Sequence, residues 1–541
     1  MQTQSVSSEE QPLLEQPLPE QSLAQGVPLG LYIHIPFCVR KCRYCDFLSA
    51  PASDEVRAAY IRSLNGQIRA FGRSLQAASD SNTSEKNLDV SEENLNIGAN
   101  ASVSAKANTS VKANASASAK ANTSVNANVS ASVKANTSSN RNTVSGYVVD
   151  SIFIGGGTPS LLSSAQMIEL MNTVRESFIL SSDVEITAEC NPGTVNEEKL
   201  RAYKSAGINR LSIGLQSSDN EELALLGRIH TWEDFLETFK CARRVGFDNI
   251  NIDVMGSLPG QTPASYQKTL ENVLALHPEH ISAYSLIIEK GTPFFDDYGD
   301  EDACHACFGE SQSCLGKVDS VGDVSKGDDS KASTRKKSLP SEDEVVQMDE
   351  LTWKLLAQAG YEHYEISNYA LQGRQCRHNL KYWHCGEYLG VGTGAASYIR
   401  SDSGLVLPKT AASEANVLSQ TALPSDEMPG DFLRLKILND TTKFSEIDWE
   451  SPTAIASCFL ECEALTRQDE MEEMAFLGLR TKEGVRLADF YTRFGKNFDE
   501  VYGNVIKKYT AMGMMHADDT HVALTLNGME VANWIMADFC G

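Results

Sequence analysis

Residues 31–47 read LYIHIPFCVRKCRYCDF and place Cys38, Cys42 and Cys45 in the spacing C-x3-C-x2-C. Thiolates at this density hold soft metals or iron–sulfur clusters. A structural zinc site closes with four ligands, and no fourth cysteine is near. Three thiolates therefore point to a [4Fe-4S] cube with one iron open to an exchangeable ligand. Pro36 restricts the backbone entering the loop. Arg40, Lys41 and Arg43 supply positive charge that favours thiolate over thiol. The alternatives are zinc with a distant fourth ligand and a chance cluster of thiols.

Outward from this loop, an α/β alternation emerges. Strand-like runs are Leu29–Ile35, Val148–Ile154, Val184–Glu189, Arg210–Leu215, Asn249–Val254 and His280–Leu286. Helical patterns lie between them, at Asp54–Phe71, Ser164–Ser177, Asn196–Ala206, Thr231–Val245 and Pro263–Ala275. Continuous apolar strands separated by amphipathic helices predict a parallel sheet wound by right-handed crossovers. Such strands make a partial (β/α)6 barrel of the TIM type, whose functional residues gather at the C-terminal strand ends. The cysteine loop, Gly155–Pro159, Glu189, Gln216 and Asp253 all fall at or just after such an end.

The chain has 541 residues and a formal net charge of -25. That charge argues against non-specific binding to nucleic acid or to an anionic membrane, since both require a basic face. No apolar run reaches the roughly 18–20 residues that span a bilayer. Residues 1–27 lack a basic n-region and an apolar h-region, so they read as a disordered leader rather than a secretory signal. The 13 cysteines, in a large acidic chain without that signal, read as thiols or metal ligands in a cytoplasmic protein.

Insertions interrupt the pattern. About 74–145 repeats KANTSV-like units without an apolar face and reads as low-complexity, disordered sequence. About 299–341 is an acidic insertion, and 401–427 reads as a linker. The barrel core and the segment around His378 occupy 28–400. A helical, winged-helix-like domain follows over 428–541, with a hairpin at Gly513–Ala517 and Val522–Leu526 and a last helix near Asn527. Cys304, His305, Cys307 and Cys314 fall inside the acidic insertion and read as incidental.

Further motifs carry chemistry. Gly155-Gly156-Gly157-Thr158-Pro159 follows a strand, where glycine lets backbone approach a polar ligand head. Glu189, Gln216, Arg228 and Asp253 lie on the same rim, each alone explicable as a solvated loop residue or helix cap. Asp253 sits inside the apolar run INIDVM, where an unpaired charge is costly. His378, with Cys376 beside it and Tyr382 and Trp383 after it, has the nitrogen or sulfur ligand and the flat rings that haem requires. On residues alone, a hydrogen-bonded structural histidine is the stronger reading.

Taken together with EITAECNPGTV, GINRLSIGLQS, LGRIHT, INIDVMGSLPGQT and YEHYEISNYA, these motifs resemble the radical S-adenosylmethionine (SAM) enzymes related to oxygen-independent coproporphyrinogen III oxidase. Within that group the chain is most similar to the HemW-type haem chaperones. Coproporphyrinogen oxidases extend the loop to C-x3-C-x2-C-x-C, and here that position is Phe47; the HNxxYW signature of the chaperone branch is present as His378, Asn379, Tyr382 and Trp383.

The resemblance implies cluster ligation by Cys38, Cys42 and Cys45. It implies SAM contacts from Tyr32, Tyr44, Gly156, Gly157, Thr158, Glu189, Gln216, Arg228 and Asp253, and haem contacts from the HNxxYW residues. The family pattern GxGAGAHS has Ala396 where its histidine is expected, which puts a SAM or haem contact there in doubt. The implied partners are haem and haem-accepting proteins, respiratory enzymes among them, and a homodimer is compatible with it. The other activity implied is oxidative decarboxylation of coproporphyrinogen III. A zinc-stapled binding module is the third reading.

Overall fold

The computed structural model describes residues 26–95, 146–299, 337–407 and 428–540. The six expected strands form as β1 (Val27–Ile35), β2 (Tyr147–Gly156), β3 (Ile179–Cys190), β4 (Arg210–Gln216), β5 (Ile250–Gly256) and β6 (His280–Ser285). They pair in parallel and in sequence order. Every residue of β4 is buried, as expected of a central parallel strand covered on both faces.

The crossovers are helices whose ends the sequence specifies. They are α1 (Asp54–Leu95), α2 (Ser164–Ser177), α3 (Glu197–Ser205), α4 (Trp232–Val245) and α5 (Pro263–Leu274). Capping boxes at Ser163, Thr231 and Thr262 satisfy the first free N–H groups, and Gly246 closes α4 in the left-handed region. On α1, Tyr60, Ile61, Leu64, Ile68, Phe71 and Leu75 form one buried stripe.

The segments between and after the crossovers revise the expected organisation. Helix α1 does not stop near 71; Leu75 is in the core and the helix runs to Leu95. Short strands add to both edges of the sheet. Strand β7 (Glu362–Glu365) pairs with β8 (Asn368–Ala370), which lies antiparallel on β6. On the other edge, β9 (Tyr388–Val391) lies parallel to β1, followed by β10 (Ala396–Arg400), β11 (Pro429–Ile437) and β12 (Phe459–Thr466).

The sheet thus has 12 strands and runs across the boundary expected at 428. Leu433, Leu435 and Ile437 pack in the main core, whereas a second core begins only at Met471. That second core belongs to a helical unit with the three-stranded sheet β13 (Val485–Arg486), β15 (His521–Leu524) and β14 (Met515–Ala517). The last helices span Leu526–Glu530 and Ala532–Ala537. Among the described residues, no helix is long and apolar enough to cross a membrane. The leader, Cys304–Cys314 and most of the proposed linker lie outside the described residues.

Candidate functional site

The cysteine loop is pinned where it leaves β1. Cys38 N–H donates to Ala50 O at 3.1 Å and Ala50 N–H donates back to Pro36 O at 3.1 Å. Arg43 N–H reaches Leu226 O at 3.1 Å, which ties the loop to the rim after β4. The glycine turn after β2 slides beneath it, with Gly157 N–H on Ile35 O at 2.9 Å and Thr158 N–H on Phe37 O at 2.7 Å. A Cβ on Gly157 would sit 2.6 Å from Phe37 O, so glycine is required by the close approach itself.

The three thiols are free, half-buried, and line one cavity of about 610 Å³ at the C-terminal strand ends. Among the described residues, no three His, Cys, Asp or Glu side chains converge on a point that a single metal ion could fill. A [4Fe-4S] cube needs no such convergence, because its separate irons each take one thiolate.

A polar chain links the sulfurs. Thr158 Oγ1 donates to Cys38 Sγ at 3.5 Å, and Asn191 Nδ2 donates to Thr158 Oγ1 at 2.9 Å. Arg228 donates to Asn191 Oδ1 and Gly214 O at 2.8 Å each, and its other terminal nitrogen reaches Cys42 Sγ at 3.7 Å. Burial opposes the Arg228 charge, but Tyr44 and Cys42 favour it and its pKa ends above the ordinary value. Asn191 was not singled out in the sequence, although it lies in the quoted motif EITAECNPGTV; only the fold shows that it joins Thr158 to Arg228.

Two carboxyl groups face the same cavity. Glu189 accepts from Gly156 N–H at 3.0 Å. Burial first, then the neighbouring Asp253, pushes its pKa up to about 8. Asp253 accepts from Asn251 Nδ2 at 2.7 Å, and burial raises its pKa as well. Gln216 ends β4 with φ 80°, beside a register shift between Gly214 and Gln216. A bulge re-aims the side chain, and Gln216 Oε1 accepts from Tyr284 OH at 2.9 Å. A non-glycine residue in that region is strained.

Of the residues expected to contact SAM, Tyr44, Gly156, Gly157, Thr158, Glu189, Gln216, Arg228 and Asp253 line this cavity. Tyr32 does not; it stacks on Phe153, which forms the wall, and shares a hydrogen bond with His34 Nδ1 at 2.9 Å. Ala396 is exposed at the start of β10 and lies outside the cavity. A side chain at that position belongs to β10, between β9 and β11, rather than to the cavity wall.

The HNxxYW residues sit on helix α6 (Arg377–Trp383). Only Asn379 lines the cavity. His378 is 1% exposed, with Nδ1 bonded to Ser151 Oγ at 3.1 Å and Nε2 to Tyr382 OH at 2.9 Å. Burial and then Lys381 push its pKa down to about 3. In this conformation His378 is a satisfied core residue with no nitrogen free to ligate iron, so the expected axial role is not displayed. Trp383 lies under Arg480, whose guanidinium is 4.7 Å from the ring centre.

Comparisons with known proteins agree with this geometry. Residues 141–273 match the radical SAM superfamily and residues 465–531 match the HemN C-terminal domain. The coproporphyrinogen III oxidase (HemN) of Escherichia coli, described as a radical SAM enzyme, has a solved structure that superposes with a TM-score of 0.60 at 19% identity, covering 95% of this chain and 90% of that one. Fold and site together define a radical SAM protein.

Among curated relatives, heme chaperone HemW of Escherichia coli is 32% identical over 384 residues, 71% of this chain and 73% of that one. HemW of Haemophilus influenzae is 31% identical across 75% and 77% of the two chains, and HemW of Lactococcus lactis is 26% identical across 95% and 97%. The chain belongs to the HemW family.

Proposed function

We propose that this chain is a cytoplasmic haem chaperone that binds a [4Fe-4S] cluster, SAM and haem, and passes haem to acceptor proteins. Cys38, Cys42 and Cys45 hold the cluster. When bound there, it supplies an iron free of protein ligand for the amino and carboxylate groups of SAM. The observation that carries the cofactor reading is the pairing of three free thiols with two half-buried carboxyls, Glu189 and Asp253, around one cavity. SAM bears a sulfonium cation, and its amino group is neutral once it binds iron. Such a cation lowers the cost of ionising both carboxyls, while Arg228 offsets thiolate charge beside Cys42.

The chaperone reading rests on family membership and on Phe47, which is 66% exposed at the cavity mouth where the oxidases carry a fourth loop cysteine. The haem contacts are assigned to the α6 motif, with Asn379 facing the cavity and His378 becoming a ligand only if its bonds to Ser151 and Tyr382 break. The test is anaerobic reconstitution followed by addition of haem, with and without SAM. Iron and sulfide in equal amounts and a shifted Soret band are expected. Zinc in place of iron, or conversion of coproporphyrinogen III to protoporphyrinogen IX, overturns the assignment.

A further inference from the structure

The cavity is lined at the start of β4 by a cation that makes no hydrogen bond to the SAM contacts. Arg210, the first residue of β4, is 2% exposed and lines the cavity. Its Cα lies four residues deeper along the strand than Gly214, or about 13 Å. Its one hydrogen bond within the described residues runs from a terminal nitrogen to Thr187 Oγ1 at 3.5 Å, and Nε is buried with no partner. A guanidinium carries five donors, and a buried charge without well-made partners is costly.

Glu185 and Asp253 lie close enough to favour its charge, but among the described residues neither is hydrogen-bonded to it. Glu185 caps α6, accepting from Arg377 N–H at 3.0 Å and His378 N–H at 3.4 Å. Asn251 Nδ2 donates to Ser212 Oγ at 2.8 Å and to Asp253, so Asn251 Oδ1 is the acceptor of the 2.6 Å bond to His280 Nδ1. His280 Nε2 then accepts from Tyr364 OH at 2.8 Å, which leaves that ring neutral with both nitrogens spent. Arg210 is thus a preformed fork open to the cavity, and Asn379 lines the same cavity from the capped end of α6.

We infer that Arg210, with Asn379 on the same cavity wall, anchors a carboxylate carried on a short flexible arm by the ligand that shares the cavity with SAM. A planar guanidinium binds a carboxylate through two parallel hydrogen bonds. The SAM carboxylate is assigned to the iron at the mouth, so the anchor serves a second ligand. Resting on the haem-chaperone reading above, that carboxylate is a haem propionate.

The experiment compares the reconstituted full chain with Arg210→Gln and Arg210→Lys. Each is titrated with haem and with haem dimethyl ester at the Soret band, and the 19F resonance of 3,3,3-trifluoropropionate is recorded with each. The wild type should bind the diacid about ten-fold tighter than the ester, as loss of a bidentate charged contact predicts. Arg210→Gln should bind both alike. The 19F line should broaden with wild type and stay sharp with Arg210→Gln. Arg210→Lys keeps the charge without the fork, so it should fold and lose most of the preference even if the glutamine variant does not fold. An unchanged diacid preference in the variants, or equal 19F broadening in all three proteins, overturns the anchor. If the wild type gives no haem spectrum, the chaperone reading fails, and the 19F comparison still decides the anchor.

Discussion

At the residue scale, the site works by placing ionisable groups where burial opposes their charge until a ligand arrives. Glu189 shows this at the mouth, and Glu365 shows a structural counterpart. Glu365 is 1% exposed where β7 meets the C-terminal unit, bridged to Thr481, and its Oε1 has no partner among the described residues. Burial pushes its pKa up to about 7. The unfolded chain releases this proton near pH 4.3 and the folded chain only near pH 7. Stability is therefore full below the lower value and is lost as pH rises through the upper one. Glu365→Gln should reduce the drop in unfolding free energy between pH 5 and pH 8 by about 2 kcal/mol, measured by denaturant melts. An unchanged drop would place the ionisation elsewhere. His378 carries the residue-scale lesson about motifs. The residues alone favoured a hydrogen-bonded core histidine, and the structure displays one, whatever haem does on binding.

At the element scale, the site is made by strand ends and by the turns that leave them. The glycine turn must pass under the cysteine loop, so Gly157→Ala forces its Cβ against Phe37 O. That substitution should cost about 1–3 kcal/mol of stability and lower the iron bound per chain, measured by metal analysis after anaerobic reconstitution. Full iron loading would show that the loop adapts. The six parallel strands and five crossovers were legible because continuous apolar runs, capping residues and amphipathic faces all agreed. The edge strands β7 to β10 were not, since runs of three to five residues carry too little period to separate them from loop. Strands β11 and β12 join the main sheet although they follow residue 428, because a sequence pattern does not reveal which sheet a segment joins. Arg210 escaped notice for a related reason: at the head of the run RLSIGLQ it looks like a strand-opening surface charge, and only the register places it inside.

At the scale of the whole molecule, one 12-stranded sheet carries the cavity and the C-terminal unit has a second, separate core. Phe490 is fully buried in that second core against Phe494, Phe498 and Tyr502. Phe490→Ala should destabilise the C-terminal unit by about 3–5 kcal/mol and separate its melting from that of the barrel, while cluster absorbance persists. Simultaneous loss of the cluster would show that the two cores unfold as one. The central claim is that three thiols and the facing carboxyls make one site for a cluster and SAM. The most direct test is the electron paramagnetic resonance spectrum of the anaerobically reconstituted, dithionite-reduced protein before and after SAM. A [4Fe-4S] signal that shifts with SAM, and shifts far less in Glu189→Gln, is the predicted result. A protein that assembles no cluster, or a cluster signal indifferent to SAM, would contradict the account.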